Sequence, residues 1–138
     1  MAVSAPSLAL RALFAPTASR LDFDRLAGTV AGLTPAVKAL AAVTAARARP
    51  GLTLLVVPTD RDVEQMVSDA RYFYAALEGA AVAAAETAVV PCPSLQVDPY
   101  RGMAPHFKVA AARARALYLA ATGQARLVVA SAAALLPR

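Results

Sequence analysis

Residues 52–57 read LTLLVV, a short apolar run that follows Pro50 and Gly51 and is stopped by Pro58. A continuous run of this length predicts a strand buried on both faces, the kind that belongs in a parallel sheet. The pattern then changes period: Val63, Met66, Val67, Ala70, Phe73, Tyr74 and Leu77 recur at the three- and four-residue spacing of a helix stripe. Thr59 with Asp62 three residues on makes a capping signature and Gly79 supplies a stop, so a helix is predicted over 59–79.

Weaker patterns extend the alternation in both directions. Thr34 can cap and Pro35 can open a helix whose Val37, Leu40, Ala41 and Thr44 share one face, with Arg47 and Arg49 beside its carbonyl end. GTVAG at 28–32, just before it, reads as a short strand. Residues 87–90 suggest another strand, which gives way to PCPSLQVDPYRGMAPHF, where four prolines and a glycine predict a long loop over 91–107. From Pro105, KVAAARARALYLAAT continues helically to Gly123, RLVVA at 126–130 supplies a further buried strand, and Ser131 can cap the closing AAALL. The opening MAVSAPSLALRALFAPTASR has the composition of a transit peptide but merges into LDFDRLA with no cleavage boundary, and it reads as an ordinary amphipathic helix.

This order predicts an α/β fold: a doubly wound, mainly parallel sheet with flanking helices and right-handed crossovers. The expected division is an N-terminal helical segment over 1–27 and an α/β unit over 28–138. With 138 residues, 59% hydrophobic and 17% charged, the chain has material for one core, although alanine, which buries little area, makes up much of it.

The formal charge of +5 permits attraction to nucleic acid, but the arginines are spread along the chain rather than gathered in a block. Cys92 is the only cysteine, which excludes an internal disulfide and, without a histidine cluster, a zinc site of familiar spacing; no metal site is expected. No apolar run reaches the roughly 18 residues needed to cross a bilayer. A soluble protein in a reducing, cytoplasmic compartment is the expectation.

Two segments invite a chemical reading. GLTPAVKA at 32–39 is close to a phosphate-binding loop, which has Gly, four residues, Gly, Lys, then Ser or Thr. Gly32 and Lys38 are correctly spaced and Thr34 lies between them. However, Val37 has a β-carbon where close approach favours glycine, Ala39 has no oxygen for magnesium, and Pro35 removes an N–H donor. No ATP hydrolysis is expected, and residual anion binding at Lys38 competes with a plain helix start and a solvated lysine.

The loop over 91–107 gathers Cys92, Asp98, Tyr100, Arg101 and His106. A cysteine nucleophile would need a base close in space and an oriented third group; the preferred reading is structural, with Pro99 and Pro105 setting turns, Tyr100 packing, and His106 bonding near the helix start. Arg113, in line with Val109 and Leu117, is either solvated or buried at an interface, whereas Arg115 reads as solvated. Phe73 and Tyr74, with Tyr72 beside them, read as core rather than as a platform for bases.

DPYRGMAPH, followed by VAAARARAL and RLVVASAAALL, resembles the N-terminal region of the bacterial transcription-repair coupling factor (Mfd) family. Pro99, Tyr100, Pro105, His106, Arg113, Leu117, Val128 and Val129 are the matching positions, and GLTPAVKAL and LLVVPTDRDVEQMVSDARYF match the corresponding order upstream. Leu95 and Gln96 stand where many relatives carry Trp-Glu. The resemblance implies an incomplete UvrB-like, RecA-like domain whose phosphate loop, at Gly32, Thr34 and Lys38, is degenerate. It also implies a larger parent whose ATP and Mg act in a downstream motor, with UvrA, RNA polymerase, double-stranded DNA and the remaining domains as partners. Within this segment no cofactor and no catalytic residue are expected, and Tyr100, His106 and Arg113 are the structural or interface positions. Two other readings stay open: a nucleotide-binding enzyme domain using Lys38, and a stand-alone binding module for nucleic acid or protein.

Overall fold

The apolar run before Pro58 does form a strand, and its exposed residues alternate with half-buried or buried ones. In the computed structural model, which describes residues 5–20, 28–95 and 104–136, β1 (Thr53–Val57) and β2 (Val89–Cys92) flank β3 (Leu127–Ser131), with both pairings parallel. The helices are α1 (Ala5–Arg20), α2 (Pro35–Ala48), α3 (Asp60–Glu78), α4 (Val82–Ala88) and α5 (Phe107–Ala121), and a 3₁₀ turn covers Ala132–Leu135. The architecture is mixed α/β, a small three-stranded parallel sheet flanked by helices.

The strongest local signals are visible as caps. Thr59 Oγ1 accepts from the Asp62 N–H at 3.3 Å, while Asp62 Oδ2 accepts from the Thr59 N–H at 3.1 Å, closing a reciprocal box at the start of α3. Gly79 ends that helix at φ +63°, a left-handed conformation that costs glycine little. Thr34 caps α2 by accepting from the Val37 N–H at 3.4 Å, with Pro35 in the first turn.

Register sets the two faces of the sheet. Leu55 and Val57 lie on the same face as Leu127, Val129 and Val89, and α1, α2 and α3 cover them in the larger core. Val90, Cys92, Val128 and Ala130 point the other way, and Ala116 and Leu119 of α5 pack over them. On that second face Leu54 and Val56 of β1 remain 51% and 48% exposed. The expectation that residues 52–57 are buried on both faces is therefore corrected: α5 covers β2 and β3 but leaves β1 open.

Other boundaries also move. Residues 28–32 form no strand; Gly28 and Gly32 both have positive φ, which breaks an extended backbone, and Val30 is exposed. The strand expected over 87–90 begins at Val89, because the alanine-rich stretch before it continues as α4, and it runs on through Pro91 to Cys92. Helix α5 begins at Phe107 with His106 as its cap, so Pro105 precedes the helix. Leu117, in line with Arg113 along the helix, is 61% exposed. The opening segment is helical, and its Phe14 meets Phe73 and Tyr72 edge-on at 5.1 and 6.0 Å, an arrangement aromatic rings favour. The aromatic group thus packs α1 on α3.

Leu127→Ala is expected to cost about 2–5 kcal/mol, as for a fully buried leucine, and Leu54→Ala less than about 1 kcal/mol. Urea unfolding of the two variants measures the difference between the covered and the open strand.

Candidate functional site

Parallel α/β sheets bind ligands beyond the carboxyl ends of their strands. Here those ends are tied to one another by polar side chains. Asp60, in the first turn of α3, accepts the Ser94 N–H at 2.9 Å through Oδ1 and the Ser94 hydroxyl at 2.6 Å through Oδ2, anchoring the chain that leaves β2. A carboxylate at a helix N-terminus is favourably placed, and two donors hold it in one orientation. Arg113 of α5 donates through Nη1 to the Pro93 carbonyl at 2.8 Å and the Ala134 carbonyl at 3.3 Å, joining the segments after β2 and β3. Ser131 Oγ accepts the Ala134 N–H at 3.2 Å, as the sequence suggests for a cap. Between these ties lies a hollow of about 180 Å³ lined by Leu95, Arg113, Ala133, Ala134 and Leu136.

Among the described residues that line the hollow, Arg113 is the one ionisable side chain. Among the described residues no three His, Cys, Asp or Glu side chains come together as a metal site. His106 is exposed at the start of α5; its Nδ1 accepts the Lys108 N–H at 3.3 Å and its ring stacks on Phe107 at 4.9 Å. Acceptance at Nδ1 puts the proton of the neutral ring on Nε2. Cys92 is buried against α5, and no hydrogen bond joins it to His106 among the described residues. Pro105 is half-buried just ahead of the helix. Pro99 and Tyr100, with Asp98 and Arg101, lie outside the described residues.

The second place is the start of α2. A phosphate cradle needs several free amides, and this turn has few. Pro35 carries no N–H, the Val37 N–H is bonded to Thr34 Oγ1, and the Lys38 N–H is bonded to the Thr34 carbonyl at 2.9 Å. Of the first turn, only the Ala36 amide remains. Ala39, in the place of a metal-binding hydroxyl, is fully buried in the core, so an oxygen there would face apolar neighbours. Gly32 adopts φ +79° ahead of this turn, and residues 28–34 form no strand leading into it. Lys38 is exposed and lines an open groove of about 500 Å³ between α2 and β1, whose other walls include Leu33, Ala42 and Met66.

Three further arginines bond to main-chain carbonyls: Arg71 and Arg126, which the sequence did not single out, and Arg115, which stays exposed as expected. Arg71 Nε donates to the Val89 carbonyl at 3.0 Å, Arg115 Nη1 to that of Glu86 at 3.2 Å, and Arg126 Nη2 to those of Ala46 and Arg49 at 3.1 and 2.9 Å. Burial holds the Arg71 pKa below its ordinary value; Glu86 opposes this and Arg115 adds to it. The available signal was position: Arg71 follows Val67 by one turn, and Arg126 immediately precedes a buried strand.

No family model matches the chain, and comparison with curated proteins and with solved structures finds no match either.

Arg113→Ala leaves the Pro93 and Ala134 carbonyls without this donor and is expected to destabilise the fold by about 1.5–3 kcal/mol, the weight of hydrogen bonds to a charged group. Arg113→Lys, which keeps one cationic donor, recovers part of the loss in the same denaturant titration.

Proposed function

We propose that this chain is the N-terminal scaffold segment of a transcription-repair coupling factor, a UvrB-like domain with a degenerate phosphate loop that organises its neighbours and hydrolyses no nucleotide. The observation that carries the reading is the first turn of α2. Pro35 and the Thr34 cap leave it a single unengaged amide, and the residue after Lys38 is a core alanine. This is a loop with the spacing of a nucleotide site and without its donors.

The order of elements supports the same reading. GLTPAVKAL leads into α2, LLVVPT spans β1 and the cap of α3, and RLVVASAAALL spans β3 and the 3₁₀ turn. Arg113 and His106, both in the family pattern, act within the molecule as a tie and a helix cap. In the parent, ATP and Mg belong to the downstream motor, and UvrA, RNA polymerase and double-stranded DNA are the partners. No described helix is long and apolar enough to cross a membrane, which is compatible with a cytoplasmic parent.

Isothermal titration of the chain with Mg-ATP is expected to show no saturable heat, and Lys38→Ala is expected to give the same trace. Magnesium-dependent ATP binding that Lys38→Ala abolishes would replace the scaffold with a nucleotide-binding domain.

A further inference from the structure

Arg113 uses one corner of its guanidinium to tie the sheet. Both acceptors, the Pro93 and Ala134 carbonyls, are bonded through Nη1. A guanidinium has five N–H donors, and the pair on its Nε–Nη2 edge runs parallel, at the spacing of the two oxygens of a carboxylate. Among the described residues no acceptor meets that edge and no carboxylate pairs with the cation, which is half-buried. Asp60, the acid of the neighbouring tie, turns both carboxylate oxygens to Ser94 and does not line the hollow.

We infer that the hollow of about 180 Å³ beside Arg113 binds a short-chain aliphatic carboxylate, with its head on the Nε–Nη2 edge and its tail against Leu95, Ala133 and Leu136. Place, charge and size each support this. The hollow lies past the ends of β2 at Cys92 and β3 at Ser131, where parallel sheets take their ligands. The one ionisable side chain that lines it is a cation, so an anion is favoured over a neutral or cationic ligand.

The other lining residues are leucine and alanine, which suit an anion with an apolar tail. At about 30 Å³ for each water-sized group, the volume holds about six non-hydrogen atoms. That is the size of butyrate, and it lies below the ~300 Å³ at which sites for drug-sized ligands begin. The two carbonyl bonds also fix the guanidinium before a ligand arrives, so little side-chain freedom is lost on binding. The tie thus doubles as a positioning device. The inference stands whether or not the coupling-factor reading does.

The test titrates the ¹⁵N-labelled chain with sodium butyrate, at an ionic strength held constant with sodium chloride, and follows the amide and arginine Nε–H resonances. Saturable shifts are expected at Leu95, Ala133, Ala134 and the Arg113 Nε–H, with a Kd on the order of 1 mM for a ligand of about six atoms. Butyramide, which has the same shape without the charge, should bind at least about tenfold more weakly. Ala133→Phe, at an exposed position, fills the hollow and should abolish the shifts while circular dichroism shows the fold retained. Arg113→Lys, which lacks the parallel pair of donors, should weaken binding about tenfold. The idea is overturned by the absence of saturable shifts, by equal binding of butyramide, or by unchanged binding to Ala133→Phe. Tighter binding of N-acetylvaline than of butyrate would overturn it in favour of the carboxyl terminus of a polypeptide. Mg-ATP titration bears on the scaffold reading alone, so the two can fail separately.

Discussion

The burial of β3 on every side is the constraint on which the rest of the molecule depends. All five of its residues are buried, so the strand needs a parallel neighbour along each edge and a helix over each face, and no polar side chain of its own can meet water. Arg126, immediately before it, shows how tightly this is arranged. Its carbonyl receives the Thr53 N–H, its N–H bonds to Ala88, and its guanidinium reaches the carbonyl end of α2 at Ala46 and Arg49. One residue thereby joins the entry to β1, the end of α4 and the end of α2. The cation also lies where a helix macrodipole favours it.

The same solution recurs elsewhere and changes the meaning of the net charge. Arg71, Arg113 and Arg115 also bond to main-chain carbonyls, and Arg47 pairs with Glu78. A guanidinium suits this work because it stays ionised and presents a planar fan of donors. An alanine-rich chain offers few large side chains to pull elements together, and long arginine side chains span gaps that alanine cannot. Several of the cations behind the charge of +5 are thus held by internal hydrogen bonds, which fix where the charge sits without cancelling it.

Function follows from what the sheet does and does not complete. Its carboxyl ends are tied together by the Asp60–Ser94 and Arg113 hydrogen bonds. The start of α2 keeps the spacing of a phosphate loop but directs its donors into its own cap. Apolar surface remains instead at β1, on the edge and on the face that α5 does not reach. Such a distribution suits a unit that positions neighbours, the role proposed above.

Much of this was legible in the residues because it is local. The capping box of Thr59 and Asp62, the stop at Gly79, the Thr34–Pro35 helix start and the apolar run of β3 depend on neighbours a few positions away, and each lies within two residues of its expected place. The missing hydroxyl at Ala39 and the missing amide at Pro35 could likewise be read directly. The bounds of β2, the helical identity of the alanines before it and the failure of residues 28–32 to pair were not legible, since short apolar stretches fit either period until a neighbour chooses. Which arginines turn inward, and that Leu54 and Val56 meet water while Val128 and Ala130 do not, were decided only by tertiary structure. Both depend on which helix crosses which face of the sheet, and that is a property of contacts between residues far apart in the chain.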